Sequence, residues 1–226
     1  YIDLIGAFSS ANAGHCNPKI TEAIKRQCEE IVVYSEMPNE PRLELAKELI
    51  GLAPGRARKK VHFTVTGSEA VDLSTKLARY YTGRPDVFAF HGAYHGRTYG
   101  SMNATTNPLH RYHQGQPFGL GMVHVPYPYC YRCPFGKEYG DCNLQCMSYI
   151  EEHFRNPLYG ERWVDGDVNH VAAILAESML GAGGYIVPPK EFLPELRRIA
   201  DEYRVLLILD EIQVGFARTG KWWACQ

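Results

Sequence analysis

The chain has 226 residues, 45% hydrophobic and 22% charged, and its 24 basic and 25 acidic residues leave a formal net charge of −1. That composition excludes disorder and fits an ordinary globular protein with one substantial core or two small ones. The charges are mixed, without the basic stripe that nucleic acid requires, and no run approaches the roughly 18 to 20 apolar residues of a membrane span.

In chain order, Pro18 to Ile31 reads as an amphipathic helix with Ile20, Ala23, Ile24, Cys28 and Ile31 on one face, Asn17 as its cap and Pro18 in its first turn. A second helix runs from about Pro41 to Leu52 and stops at Pro54-Gly55. Val61 to Val65 alternates like a strand and leads into a helix from Ser68 to Tyr81. Asp86 to Phe90 and Met122 to Val125 are further strands, and a helix spans about Asn143 to Phe154. The last third predicts strand Val171 to Glu177, a Gly-rich turn, helix Phe192 to Tyr203, and an apolar run Val205 to Leu209 suited to a central parallel strand. Strands alternating with helices argue for an α/β fold with a parallel sheet.

Residues 126 to 146 hold a Cys-rich insertion whose first part, Pro126 to Asp141, is rich in Tyr, Pro and Gly and lacks a periodic pattern. Cys130-x2-Cys133 and Cys142-x3-Cys146 are spaced so that four thiolates could converge on zinc. The alternative is a surface insertion whose thiols are merely close, since the x3 spacing is uncommon and no His supports it. No metal ligand is assigned.

Three strand-end junctions carry chemistry. Thr66-Gly67-Ser68-Glu69-Ala70 opens a helix, where free N–H groups and the helix dipole favour an anion and Gly67 admits close approach of a phosphate; simple capping by Ser68 is the alternative. His91-Gly92-Ala93-Tyr94-His95-Gly96 follows a strand, and its glycines allow a sharp turn that presents Tyr94 to a planar heteroaromatic ligand. His91 and His95 lie on a loop with no Glu between them, so a zinc-protease reading fails. Neither Gly119-x-Gly121 nor Gly181-x-Gly183 is a dinucleotide fingerprint, because His124 and Ile186 stand where the third Gly belongs. The third junction, Leu209-Asp210-Glu211-Ile212-Gln213, places a carboxylate at a strand's C-terminal end, where open α/β sheets bind ligands. A buried Asp there needs a cationic partner, and a protonated pyridine nitrogen is one candidate.

In order and spacing these motifs, with Gly14-His15-x-Asn17-Pro18, Glu177 before Gly181-Ala182-Gly183-Gly184, and Gly215-x-x-Arg218-Thr219-Gly220, resemble the class III aminotransferases of pyridoxal-phosphate fold type I over nearly the whole chain. The resemblance implies residues 1–55 as an N-terminal segment, comprising part of the small domain and a linking helix, and 56–226 as an incomplete large domain that binds pyridoxal 5′-phosphate. It further implies that Thr66, Gly67 and Ser68 hold the cofactor phosphate, Tyr94 stacks on its ring with His95 beside it, Asp210 pairs with the ring nitrogen, and Gln213 donates to the phenolic oxygen. Glu177 falls where the family has a carboxylate near the substrate, often paired with an Arg from further downstream. The family's Schiff-base lysine comes some tens of residues beyond Arg-Thr-Gly; Lys221 stands too close to Asp210 to be it. Asn17 departs from the His of many members.

The expected activity is transfer of an amino group from an amino acid or ω-amine to a 2-oxo acid by a cytoplasmic homodimer, with neither nucleic acid nor membrane as partner. The chain starts without Met and stops soon after an apolar stretch, so it is expected to be truncated at both ends and inactive as it stands. Racemases and decarboxylating transaminases of the same fold are the near alternative, and a non-catalytic metal-binding scaffold built on the four cysteines is the distant one.

Overall fold

The computed structural model describes residues 1–33, 35, 37–111, 119, 121–159 and 169–226. The chain divides into two compact units, one of Tyr1–Phe63 with Gln213–Ala224 and Gln226, the other of Thr64–Ile212 with Cys225.

The first unit carries the single turn α1 (Gly6–Ser9) and the helices α2 (Pro18–Glu29) and α3 (Glu40–Leu52). Both longer helices begin as their sequences dictate. The Asn17 side chain accepts the Lys19 N–H at 3.0 Å, Asn39 accepts that of Arg42 at 3.0 Å, and a proline sits in each first turn. Trp223 Nε1 donates to the Leu52 carbonyl at 2.8 Å, tying residue 223 to the end of α3. The apolar face expected on α2 is present, but Ile20 and Ile24 remain 47% and 59% exposed.

The second unit follows with α4 (Gly67–Thr82), β1 (Asp86–Phe90), the short α5 (Tyr99–Ala104) and α6 (Pro108–Arg111), β2 (Met122–Val125), α7 (Gln145–Arg155), β3 (Val171–Glu177), α8 (Phe192–Glu202) and β4 (Leu206–Asp210). All strand pairs are parallel, in the order β2-β1-β3-β4. Strand alternation sorts the side chains into two layers. Val87, Ala89, Ala173 and Leu175 face one cluster with Val71 and Ala78 of α4. Phe88, Phe90, Ile174 and Ala176 face the other with Ile150 and Phe154 of α7 and Leu196 and Ile199 of α8. A register shift between Asp86 and Val87 inserts Ala172, so Ala172 and Ala173 both belong to the α4 side.

One expectation fails here. Val61 to Val65 forms no strand among the described residues, and the Val65 N–H goes to the Glu69 carboxylate at 2.7 Å. Among the described strands β4 stands last in the order, with intermediate burial over Leu206–Leu209, whereas every residue of β3 is buried. Its side chains divide between the two layers, Leu207 and Leu209 on the α8 side and Leu206 and Ile208 on the α4 side. No helix among the described residues is long and apolar enough to cross a membrane.

Ile174 is fully buried between β1 and β4. Ile174→Ala should cost roughly 2 to 5 kcal/mol in urea unfolding, and Ile20→Ala on the exposed face of α2 under about 1 kcal/mol; equal losses would contradict this layering.

Candidate active site

The parallel sheet brings the C-terminal ends of β1, β3 and β4 to one edge. The chain runs from β1 outward to β2, then returns to β3 on the opposite side of β1, so the order reverses between β1 and β3. Loops diverge at such a switch point and leave a crevice for a ligand.

The three junctions meet at this edge. Asp210 ends β4, in register with Glu177 at the end of β3. Asp210 Oδ2 lies 2.8 Å from His95 Nδ1, and its Oδ1 accepts the Ile212 N–H at 3.0 Å. The two side chains are only 0% and 5% exposed, for His95 and Asp210 respectively. With a carboxylate facing Nδ1, that nitrogen carries the proton, and Nε2 is a buried atom without a hydrogen-bond partner. The His95 N–H is held by Thr105 Oγ1 at 2.9 Å.

The helix start reaches the same place. Thr66 caps α4, its Oγ1 accepting the Glu69 N–H at 3.2 Å, which leaves the N–H groups of Gly67 and Ser68 outside the helical ladder. Ser68 Oγ accepts the Arg97 N–H at 3.1 Å, so its own proton remains available to an anion. A Cβ placed on Gly96 would stand 2.2 Å from Ser68 Oγ and 2.6 Å from Ser101 Oγ, with φ at +126°. A Cβ on Gly67 would stand 2.8 Å from Ile212 Cδ1. Ser68 therefore abuts the residue after His95, and Gly67 abuts the second residue after Asp210.

The aromatic loop is fastened largely by its backbone. The Gly92 N–H goes to Thr106 Oγ1 at 2.7 Å and the Tyr94 N–H to Glu177 Oε1 at 2.9 Å. Glu177 Oε2 accepts the Gly181 N–H at 2.9 Å, and burial raises its pKa even though His95 nearby works the other way. The Tyr94 ring is half-buried and touched at its edge by His110, 4.7 Å away between centroids. His91 does not join His95; its ring lies 6.0 Å from that of His124. Gln213 belongs to the first unit. Sequence reasoning gave no signal for Thr105, Thr106 and Ile212, whose roles arise only from packing at the edge.

Before α7 begins at Gln145, the Cys-rich insertion contains a short 3-10 turn, Cys130–Arg132. Cys130, Cys133, Cys142 and Cys146 line one pocket as free thiols, and burial raises the pKa of Cys146 to about 11. Among the described residues, no group of three or more His, Cys, Asp or Glu side chains is arranged to hold a metal ion.

The sequence model of the family described as aminotransferase class-III matches residues 1–226. The chain belongs to the class III aminotransferases. It is 39% identical to a leucine/methionine racemase of Thermococcus litoralis and 35% identical to a probable 4-aminobutyrate aminotransferase of Bacillus subtilis, in each case over the whole chain but only 49% and 50% of the relative. A solved taurine:2-oxoglutarate aminotransferase of Bifidobacterium kashiwanohense, in complex with PLP and glutamate, superposes with a TM-score of 0.85 at 33% identity, covering 99% of this chain and 49% of that one. The chain thus spans about half the length of the class III relatives it matches.

Gly96→Ala forces a Cβ into Ser68 and Ser101 at a backbone angle L side chains avoid. It should lower unfolding stability by roughly 1 to 3 kcal/mol; an unchanged melting temperature would refute the close approach of the two junctions.

Proposed function

We propose that this chain forms the cofactor-binding part of a pyridoxal-phosphate-dependent enzyme that passes an amino group from an amino acid or ω-amine to a 2-oxo acid. The observation that carries the reading is the convergence of an anion-ready helix start with a buried carboxylate, through the Ser68–Gly96 and Gly67–Ile212 approaches. The donor set fits the cofactor. A buried Asp whose other oxygen face is held by the Nδ1 side of His95 suits a cationic ring nitrogen, and first-turn N–H groups with a serine hydroxyl suit a phosphate.

In this assignment Gly67 and Ser68, with Thr66 holding the helix start, bind the phosphate. Tyr94 covers one face of the ring, and Asp210 pairs with the ring nitrogen while His95 keeps the carboxylate oriented. Gln213 donates to the phenolic oxygen, a role that rests on its place in the sequence motif. When bound, the cofactor supplies an electron sink for the bond broken at the substrate's α-carbon. The covalent attachment is left to a lysine from the remaining half of the enzyme. We also propose a cytoplasmic homodimer; the exposed Leu77, Tyr80 and Tyr81 on α4 support a further subunit or segment over that helix.

Amino-acid racemisation is the second reading, favoured by the likeness to the Thermococcus litoralis racemase and, at 36% identity, to an isoleucine 2-epimerase of Lentilactobacillus buchneri. Incubating the full-length enzyme with one L-amino acid separates the two. Transfer requires added 2-oxoglutarate and yields a new 2-oxo acid, whereas racemisation yields the D-enantiomer without it. Asp210→Ala should lower turnover by at least about a hundredfold; normal turnover would overturn the assignment of Asp210.

A further inference from the structure

Glu177 is only 4% exposed, and both of its carboxylate oxygens are already engaged, one by the Tyr94 N–H and one by the Gly181 N–H, each at 2.9 Å. To swing toward a substrate or an incoming Arg it would have to abandon two N–H donors inside the protein. The segments it joins are clamped to each other by further contacts. Asn107 Nδ2 donates to the Ala182 carbonyl at 2.7 Å, and a Cβ on Gly183 would stand 2.7 Å from the Gly92 carbonyl. The Glu177 carbonyl in turn accepts the Tyr127 hydroxyl at 3.2 Å, which anchors the strand end from below.

By contrast, the Tyr94 side chain has few holds of its own. His110 meets its edge, and the Arg97 guanidinium stands 6.0 Å from the ring centre. The height and tilt of the ring are therefore set by its backbone, and among the described residues the carboxylate bonded to that backbone is Glu177.

We propose that Glu177 is a positioning residue: it bridges the Tyr94 and Gly181 amides across the sheet's switch point and so fixes the aromatic ring against the cofactor, in place of the substrate-side carboxylate role expected from the family resemblance. The proposal rests on the cofactor reading above. Glu177→Gln retains size but turns one acceptor into an NH2 group, which cannot satisfy the second N–H.

Two measurements on the full-length apoenzyme test it. In hydrogen exchange, Glu177→Gln should accelerate the Tyr94 and Gly181 amides together by more than about tenfold while those of β3 stay protected; unchanged exchange at either amide overturns the bridge, whether or not the cofactor binds. In titration with pyridoxal 5′-phosphate, Glu177→Gln should weaken binding by about tenfold in the native background, and by less than about twofold when Tyr94 is already Ala. Equal losses in both backgrounds, or none in the native one, contradict action through Tyr94. If the Gln variant does not fold, Glu177→Asp, too short to reach both amides, must show the same non-additivity. Failure of the wild-type apoenzyme to take up the cofactor would instead remove the underlying reading, leaving the exchange result to judge the bridge.

Discussion

A buried acid at the end of a strand has to be answered by something. Asp210 is answered on the protein side by the His95 imidazole and the Ile212 N–H, and those two bonds hold the rest of the edge in place. His95 brings the aromatic loop to β4; Ile212 brings the chain beyond β4 against Gly67 at the start of α4. Removing the carboxylate would leave a buried imidazole with neither nitrogen paired, a cost that explains why the loop and the strand end are organised around this contact.

The same constraint decides where small residues stand. Gly96 and Gly67 occupy the two points where backbone from one junction meets a side chain from another, and at each a methyl group would collide. The sheet order supplies the crevice and the helix start supplies positive potential, but it is these close approaches that bring the two beside each other. Glu177 performs the corresponding task one strand over, holding the Tyr94 loop to the Gly181 turn with a charge that faces backbone on both sides.

Much of this was legible in the sequence, and the failures have physical reasons. Strands Asp86–Phe90, Met122–Val125 and Val171–Glu177 were readable to the residue because β-rich apolar runs with turn residues on either side admit little else. Val61–Val65 has the same alternation but pairs with no strand among the described residues, which periodicity within a segment cannot reveal. At the site, the residue types at 67, 68, 94, 95 and 210 announced an anion, an aromatic surface and a buried charge. The partners Thr105, Thr106 and Ile212 are ordinary residues whose tasks exist only once the strands align. Glu177 illustrates the limit: a carboxylate beside a glycine-rich turn reads equally as a reactive group and as a brace, and only the positions of the Tyr94 and Gly181 amides tell the two apart.

The proposed assignment of these residues requires one molecule held at both ends, by Gly67 and Ser68 at its phosphate and by Asp210 at its ring nitrogen. A crystal structure of the full-length enzyme with pyridoxal 5′-phosphate tests this directly. The account predicts phosphate oxygens within hydrogen-bond distance of the Gly67 and Ser68 N–H groups, and the ring nitrogen within that distance of an Asp210 carboxylate oxygen. A phosphate seated away from the start of α4, or a ring nitrogen turned from Asp210, would contradict it.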